Sequence, residues 1–294
     1  MNFENWYDRS KDGSSKWLVM KEKKDNIPND VIPMGIADME FLVCPSIQKD
    51  IKDYISNNVL GYTRANKEYL ESVVSFMDKF HDYQIKGDWI VTTPGIVSAL
   101  ATSVRAFTKE NDGVVVFSPV YPPFYHVVND QGRVLKDCPL LLEDNRYYID
   151  FQLLEEYAKE DNTKMILLCS PHNPGGRVWT KEELTKISKI ANENNLILVS
   201  DEIHSDLMVS DIKHEMYGNI ENTEHNSIVC TSPSKTFNIA GLQTSNIIIE
   251  DDKLRERFVR ANEIIGIERS NVLGLVAARS AYTNGYPYLE NISK

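Results

Sequence analysis

Apolar residues along this chain fall into two rhythms. Continuous short runs occur at residues 89–92 (WIVT), 113–117 (GVVVF), 164–169 (KMILLC), 196–200 (LILVS), 227–231 (SIVCT) and 245–249 (SNIII). A run that is apolar on both of its faces predicts a strand buried from both sides. Between these runs, apolar positions recur at helical spacing over residues 46–57, 67–80, 121–130, 251–265 and 272–283, and Pro94-Gly95 opens another helical stretch to about residue 109. Thr180-Lys-Glu-Glu183 reads as a capping box that starts a helix running to about residue 194. Residues 1–44, punctuated by Pro28 and Pro33, read as irregular or extended. Strands alternating with helices predict an α/β fold: a mostly parallel sheet flanked by helices on both faces.

That topology directs attention to the carboxyl ends of the strands, where such sheets bind their ligands. The rim then consists of residues 93–97, 118–121, 170–175, 201–204 and 232–235. Gly95, Ile96 and Val97 stand where a strand gives way to a helix, and their backbone N–H groups form a cradle for an anion. Ser232 and Ser234 add hydroxyls for the same group. Asp201 follows the apolar LILVS run, where a carboxylate against a dry core calls for a cationic partner. Lys235 offers an amine suited to a Schiff base, and Tyr121 a face for a flat ring. Together these groups describe a site for pyridoxal 5′-phosphate.

The bulk numbers narrow the partners. A formal net charge of −11 argues against nucleic acid or an anionic membrane surface, so a phosphate site has to be local. The N-terminus lacks a basic stretch followed by an apolar run, and no uncharged stretch is long enough to span a bilayer, so a cytoplasmic protein is expected. Cys44, Cys138, Cys169 and Cys230 include no C-x-x-C pair and read as buried reduced thiols.

Three motifs carry a family resemblance: Asn173-Pro174-Gly175 within SPHNPGG, Asp201 within VSDEIH, and Lys235 within SPSKTFNIAG. In this order and spacing they resemble the class I/II aminotransferase superfamily, the fold-type I pyridoxal-phosphate enzymes. DRSKDGSSKW, PMGIADMEF, LGYTR and SDEIHSDL further resemble the cystathionine β-lyase branch, whose members are C–S lyases, some of which also modulate transcription through protein partners. The resemblance implies a role for each site residue. Lys235 would hold the cofactor as a Schiff base and move the substrate Cα proton. Asp201 would pair with the pyridine nitrogen, Asn173 would bond the ring hydroxyl oxygen with His204 near that edge, and Tyr121 would stack on the ring. Gly95, Ile96, Val97, Ser232 and Ser234 would hold the phosphate. Tyr62 would reach the phosphate of a neighbouring subunit's cofactor, which implies a homodimer with shared sites. The implied substrate is a small sulfur-containing amino acid.

The chain departs from the family pattern in places. Gly35 stands where the branch more often has tryptophan, and Gln243 where aminotransferases commonly place a phosphate-binding arginine. Family members continue into a C-terminal domain whose arginine grips the substrate carboxylate, and no residue here takes that role. The expected division is therefore an N-terminal segment (1–45), a large cofactor-binding domain (46–283), and the start of a C-terminal domain at 284–294, the rest of that small domain being absent from this chain. Ser232-Pro-Ser-Lys235 matches the S-x-x-K of penicillin-binding enzymes, but Thr244-Ser-Asn246 and Lys235-Thr-Phe237 do not complete that pattern. A non-catalytic, cofactor-binding regulatory protein is the alternative of another class, and an aminotransferase the alternative within the same chemistry.

Overall fold

A computed structural model describes residues 3, 5–24, 26–28, 31–208, 212–267 and 270–292. Parts of the expected terminal segments, residues 1, 2, 4, 25, 29, 30, 293 and 294, lie outside the described residues. The chain begins with helices α1 (Ser15–Lys23), α2 (Pro45–Asn57) and α3 (Lys67–His81). Alternation follows: β1 (Ile90–Thr93), α4 (Ile96–Phe107), β2 (Gly113–Val116), α5 (Pro123–Asn129) and β3 (Val134–Asp137). A small hairpin, β4 (Leu141–Glu143) with β5 (Arg146–Tyr148), leads to α6 (Phe151–Ala158), β6 (Thr163–Cys169), α7 (Lys181–Glu193) and β7 (Ile197–Asp201). The described chain ends with β8 (Ser227–Thr231), β9 (Ser245–Ile248), α8 (Asp252–Ile264), α9 (Val272–Asn284) and α10 (Tyr286–Ile292).

The main sheet has seven strands in the order β1-β9-β8-β7-β6-β2-β3. Pairings from β3 through β8 are parallel, and only β9 is reversed, antiparallel to both β8 and β1. This reversal brings the start of β9 to the same edge as the ends of β1 and β8, with Thr93 opposite Ser245 and Thr231 opposite Asn246. Alternate strand residues feed two cores. Val114, Val116, Leu167, Val199 and Ile228 pack with α4, α5 and α8, whereas Val115, Ile166, Leu168, Leu198 and Val229 pack with α3, α7 and α9. Burial on both faces is why these strands read as unbroken apolar runs.

Helix starts follow local chemistry. The Thr180 hydroxyl accepts from the Glu183 N–H while the Glu183 carboxylate accepts from the Thr180 N–H, completing the capping box of α7. Asn66, Asp150, Asp251 and Asn271 cap α3, α6, α8 and α9 in the simpler one-sided way. Residues 1–44 are not wholly irregular as expected, because α1 forms within them. Its buried residues are Lys16 and Trp17, so no apolar stripe announces it. The helix expected over 121–130 starts only at Pro123, which leaves Tyr121 on the loop before it. All four cysteines are buried free thiols. Among the described residues, no helix is long and apolar enough to cross a membrane.

Candidate active site

The sheet rim collects chemistry from β7 first. Asp201 is the last residue of that strand and only 5% exposed. Its neighbours in register are Cys169 on β6 and Cys230 on β8, both buried, so the carboxylate is walled by thiols and core. Asp201 Oδ1 accepts one backbone N–H, from Ile203 at 3.2 Å. Burial drives its carboxyl pKa up to about 7; the Glu202 charge pushes the same way, and the Ile203 N–H and Lys235 oppose it. A carboxylate this deep with so little compensation is poised for a cationic hydrogen-bond donor.

Lys235 lies on the turn after β8, half-buried, and its Nζ donates to the carbonyl oxygen of Ala37 at 2.8 Å. Burial lowers its pKa, against the pull of the Asp38 and Asp201 charges. The turn itself is held by side chains. Ser232 Oγ lies 2.8 Å from the Thr244 carbonyl oxygen and 2.9 Å from Ser234 Oγ, and it accepts the Ser234 N–H at 3.1 Å. Asn238 binds the backbone of Met39 and Phe41, which brings the N-terminal segment alongside the lysine.

Gly95 caps α4 with φ +97° and ψ 162°, a conformation open essentially to glycine alone, and a Cβ there would face open space. Its carbonyl accepts from Thr93 Oγ1 and Ser98 Oγ, and its position carries no side-chain cap for the first turn, so the N–H groups at Ile96 and Val97 face a ligand uncapped. The Ile96 side chain is buried, so only its backbone is available to the rim.

On the other side, Asn173 N–H rests on Cys169 Sγ and its carbonyl accepts from Tyr121 N–H at 3.0 Å. His172, kept neutral by a pKa that burial lowers, bonds the Pro119 carbonyl oxygen at 2.8 Å. These bonds tie the Tyr121 loop to the Asn173 loop. The Tyr121 ring is 42% exposed, available for stacking. His204 is half-buried, and burial reinforced by Lys235 drops its pKa to about 4, so it is a neutral imidazole near pH 7. Asn173 and His204 also line a cavity of about 890 Å³ with Tyr147, Trp179, Leu207 and Met208.

Tyr62, on the connection between α2 and α3, is 98% exposed. Gln243 is exposed with φ +44°. Sequence reasoning also missed the Ala37 carbonyl, 198 residues from the lysine it binds, and Glu202, fully buried against His214 Nε2 (2.7 Å) and Tyr217 N–H (3.0 Å). A backbone acceptor leaves no trace in residue type, whereas the acidic pair Asp201-Glu202 was visible.

The aminotransferase class I and II family model matches residues 29–281, and the chain belongs to that family. It is 38% identical over 293 residues to cystathionine beta-lyase PatB of Bacillus subtilis, covering 99% of this chain and 75% of that protein. The structure of cystalysin from Treponema denticola, which contains a pyridoxal 5′-phosphate cofactor, superposes with a TM-score of 0.97 at 41% identity, covering 99% of this chain and 74% of cystalysin. A pyridoxal-phosphate-bound C–S lyase from Staphylococcus hominis matches with a TM-score of 0.91 at 30% identity, over all of this chain and 73% of its own. The rim suits that cofactor: a buried carboxylate with one hydrogen bond, a half-buried amine, a glycine cradle with open space beside it, and paired serine hydroxyls.

Proposed function

We propose that this chain is a pyridoxal-phosphate-dependent C–S β-lyase of the cystathionine β-lyase type, releasing pyruvate, ammonia and a thiol from a sulfur amino acid. The observation that carries the reading is the half-buried Lys235 on the same rim as Asp201, whose carboxylate has one backbone hydrogen bond, in a chain this similar to C–S lyases. Pyridoxal phosphate, when bound, withdraws electrons from the substrate Cα and makes its C–H acidic. The chain's residues do the rest. The Ile96 and Val97 N–H groups, next to Gly95, and the Ser232 and Ser234 hydroxyls hold the phosphate. Tyr121 would cover the ring face, and Asn173 and His204 would stand at its hydroxyl edge. Asp201 keeps a proton on the ring nitrogen, a charge-assisted bond worth roughly 1.5–3 kcal/mol. Lys235 would be the residue that holds the cofactor. The Lys235 amine takes the Cα proton, and burial, which lowers its pKa, favours the neutral base. Sulfur then leaves Cβ with the bonding electron pair and is protonated to the thiol. Uptake of one water completes the balance to pyruvate and ammonia.

The test combines a label and a turnover assay. Borohydride reduction of the cofactor-loaded protein, followed by peptide mapping, should place the pyridoxyl group on Lys235. Cystathionine should then give pyruvate without added keto acid. A label on another lysine, or turnover that needs a keto acid and yields a new amino acid, would overturn the reading, the latter in favour of an aminotransferase.

A homodimer with shared sites belongs to the same proposal. Met34, Val59, Leu60 and Tyr62 are 59–98% exposed, large apolar side chains that a second copy would cover. Heterodimers of Tyr62→Phe and Lys235→Ala chains should regain part of the lost turnover; none regained would refute sharing. The division into an N-terminal segment (1–45), a cofactor domain (46–283) and the start of a further domain is retained as part of this reading.

A further inference from the structure

Thr236, the residue immediately after Lys235, is fully buried. Its hydroxyl donates to Asp206 Oδ2 at 2.6 Å, and His81 Nε2 lies 2.7 Å from Asp206 Oδ1. The His81 and Asp206 side chains are 5% and 7% exposed. This chain of side chains joins separate parts of the fold: His81 ends α3, Asp206 sits on the loop after β7, and Thr236 sits on the turn after β8. The His81 carbonyl in turn accepts from Asn219 Nδ2 at 3.2 Å. A buried carboxylate is retained only where its oxygens are hydrogen-bonded, and here both are. None of these residues has a part in the reaction as derived above.

The turn bearing the lysine is pinned at its ends by Ser232 on the Thr244 carbonyl and by Asn238 on the Met39 and Phe41 backbone. Thr236 is the pin next to the lysine itself. A lysine side chain has a long flexible stem, so the place its amine can reach depends on how firmly its backbone is held. We propose that Asp206, braced by His81, is a positioning residue that acts through the Thr236 hydroxyl to fix the backbone from which Lys235 reaches the cofactor. This rests on the reading that Lys235 is the cofactor lysine.

The experiment follows capture of Lys235 by pyridoxal 5′-phosphate in the full chain, quenched with borohydride and read by peptide mass spectrometry across a pH series. Capture of Lys67, whose side chain is 83% exposed, is the internal reference. Thr236→Val keeps the shape and removes the hydroxyl, whereas Thr236→Ser keeps it. Relative to Lys67, capture of Lys235 should slow on the order of tenfold in Thr236→Val, with a displaced pH profile, and return close to wild type in Thr236→Ser. A folded Thr236→Val chain captured at the wild-type rate and pH profile overturns the proposal. So does equal slowing in both variants with a matching fall in melting temperature, because the contact is then structural only. If Thr236→Val does not fold, Asp206→Ala replaces it, since it removes the acceptor of the Thr236 hydroxyl outright, whereas an asparagine amide oxygen could keep that bond. Slowed capture there supports the positioning role, and wild-type capture overturns it. A wild-type chain captured at some other lysine sinks the cofactor reading itself, an outcome distinct from all of these.

Discussion

Replacing Asp201 with asparagine tests the most strained feature of the site, a carboxylate sealed between two thiol-bearing strands. In the unfolded chain this carboxyl has a pKa near 3.8, and burial raises it to about 7 in the fold. Between those values the native state holds a proton that the unfolded state has released, so stability falls as pH rises through this window. At roughly 1.4 kcal/mol per pH unit, the ionised carboxylate costs the fold about 4 kcal/mol by pH 8 relative to pH 4, in the cofactor-free protein. Asparagine does not titrate. It can keep the Ile203 N–H bond, and its own buried NH2 carries a constant cost of roughly 1–3 kcal/mol at every pH. The decisive quantity is therefore the change in stability with pH rather than stability at one pH. Urea unfolding of the cofactor-free wild type and Asp201→Asn, repeated from pH 4 to pH 8, should show the gap between them shifting in favour of the variant by several kcal/mol. Contributions from other titrating groups cancel in that comparison. Parallel stability curves for the two proteins would refute the argument that burial strains Asp201. The same variant should bind pyridoxal phosphate more weakly, because an amide lacks the charge that holds a proton on the ring nitrogen.

Other outcomes follow from the same physics. His204, whose folded pKa is depressed to about 4, has the opposite sign: stability is lost as pH falls from 6.5 towards 4, and His204→Gln should flatten that acid limb in the same urea series. Gly95→Ala places a side chain at φ +97°, and should cost roughly 1–3 kcal/mol in thermal or urea unfolding and loosen cofactor retention on a desalting column. Thr180→Ala breaks the capping box of α7, and should lower stability by about 1 kcal/mol while leaving Lys235 as the labelled lysine.

Much of this architecture was legible in residue order. The strands buried on both faces announced themselves because their side chains are apolar on either parity, and the capping box marked α7 by chemistry alone. Most of the elements missed share a cause. The pair β4 and β5 is almost wholly exposed, β3 is an edge strand with no buried residue, and α1 buries a lysine beside its tryptophan. Periodicity reports a buried apolar face, and these elements have none; α6, also missed, does bury Leu154 and Ala158, but its eight residues make barely two turns of pattern.

By itself, the order of residues determined that an anion cradle, an acid, an amide and a lysine would meet at one edge of a mostly parallel sheet. That follows because each stands at or just beyond the end of a strand, and parallel strands end on the same side. The reversal of β9, the Ala37 carbonyl under Lys235, the thiols flanking Asp201 and the Asp206 link to Thr236 were decided only in three dimensions. Strand direction, long-range hydrogen bonds and desolvation depend on which distant segments become neighbours, and no local pattern encodes that. The carboxylate pKa near 7 belongs to this second group: the same aspartate is an ordinary acid in the unfolded chain, and becomes poised for a cation only once β6 and β8 close around it.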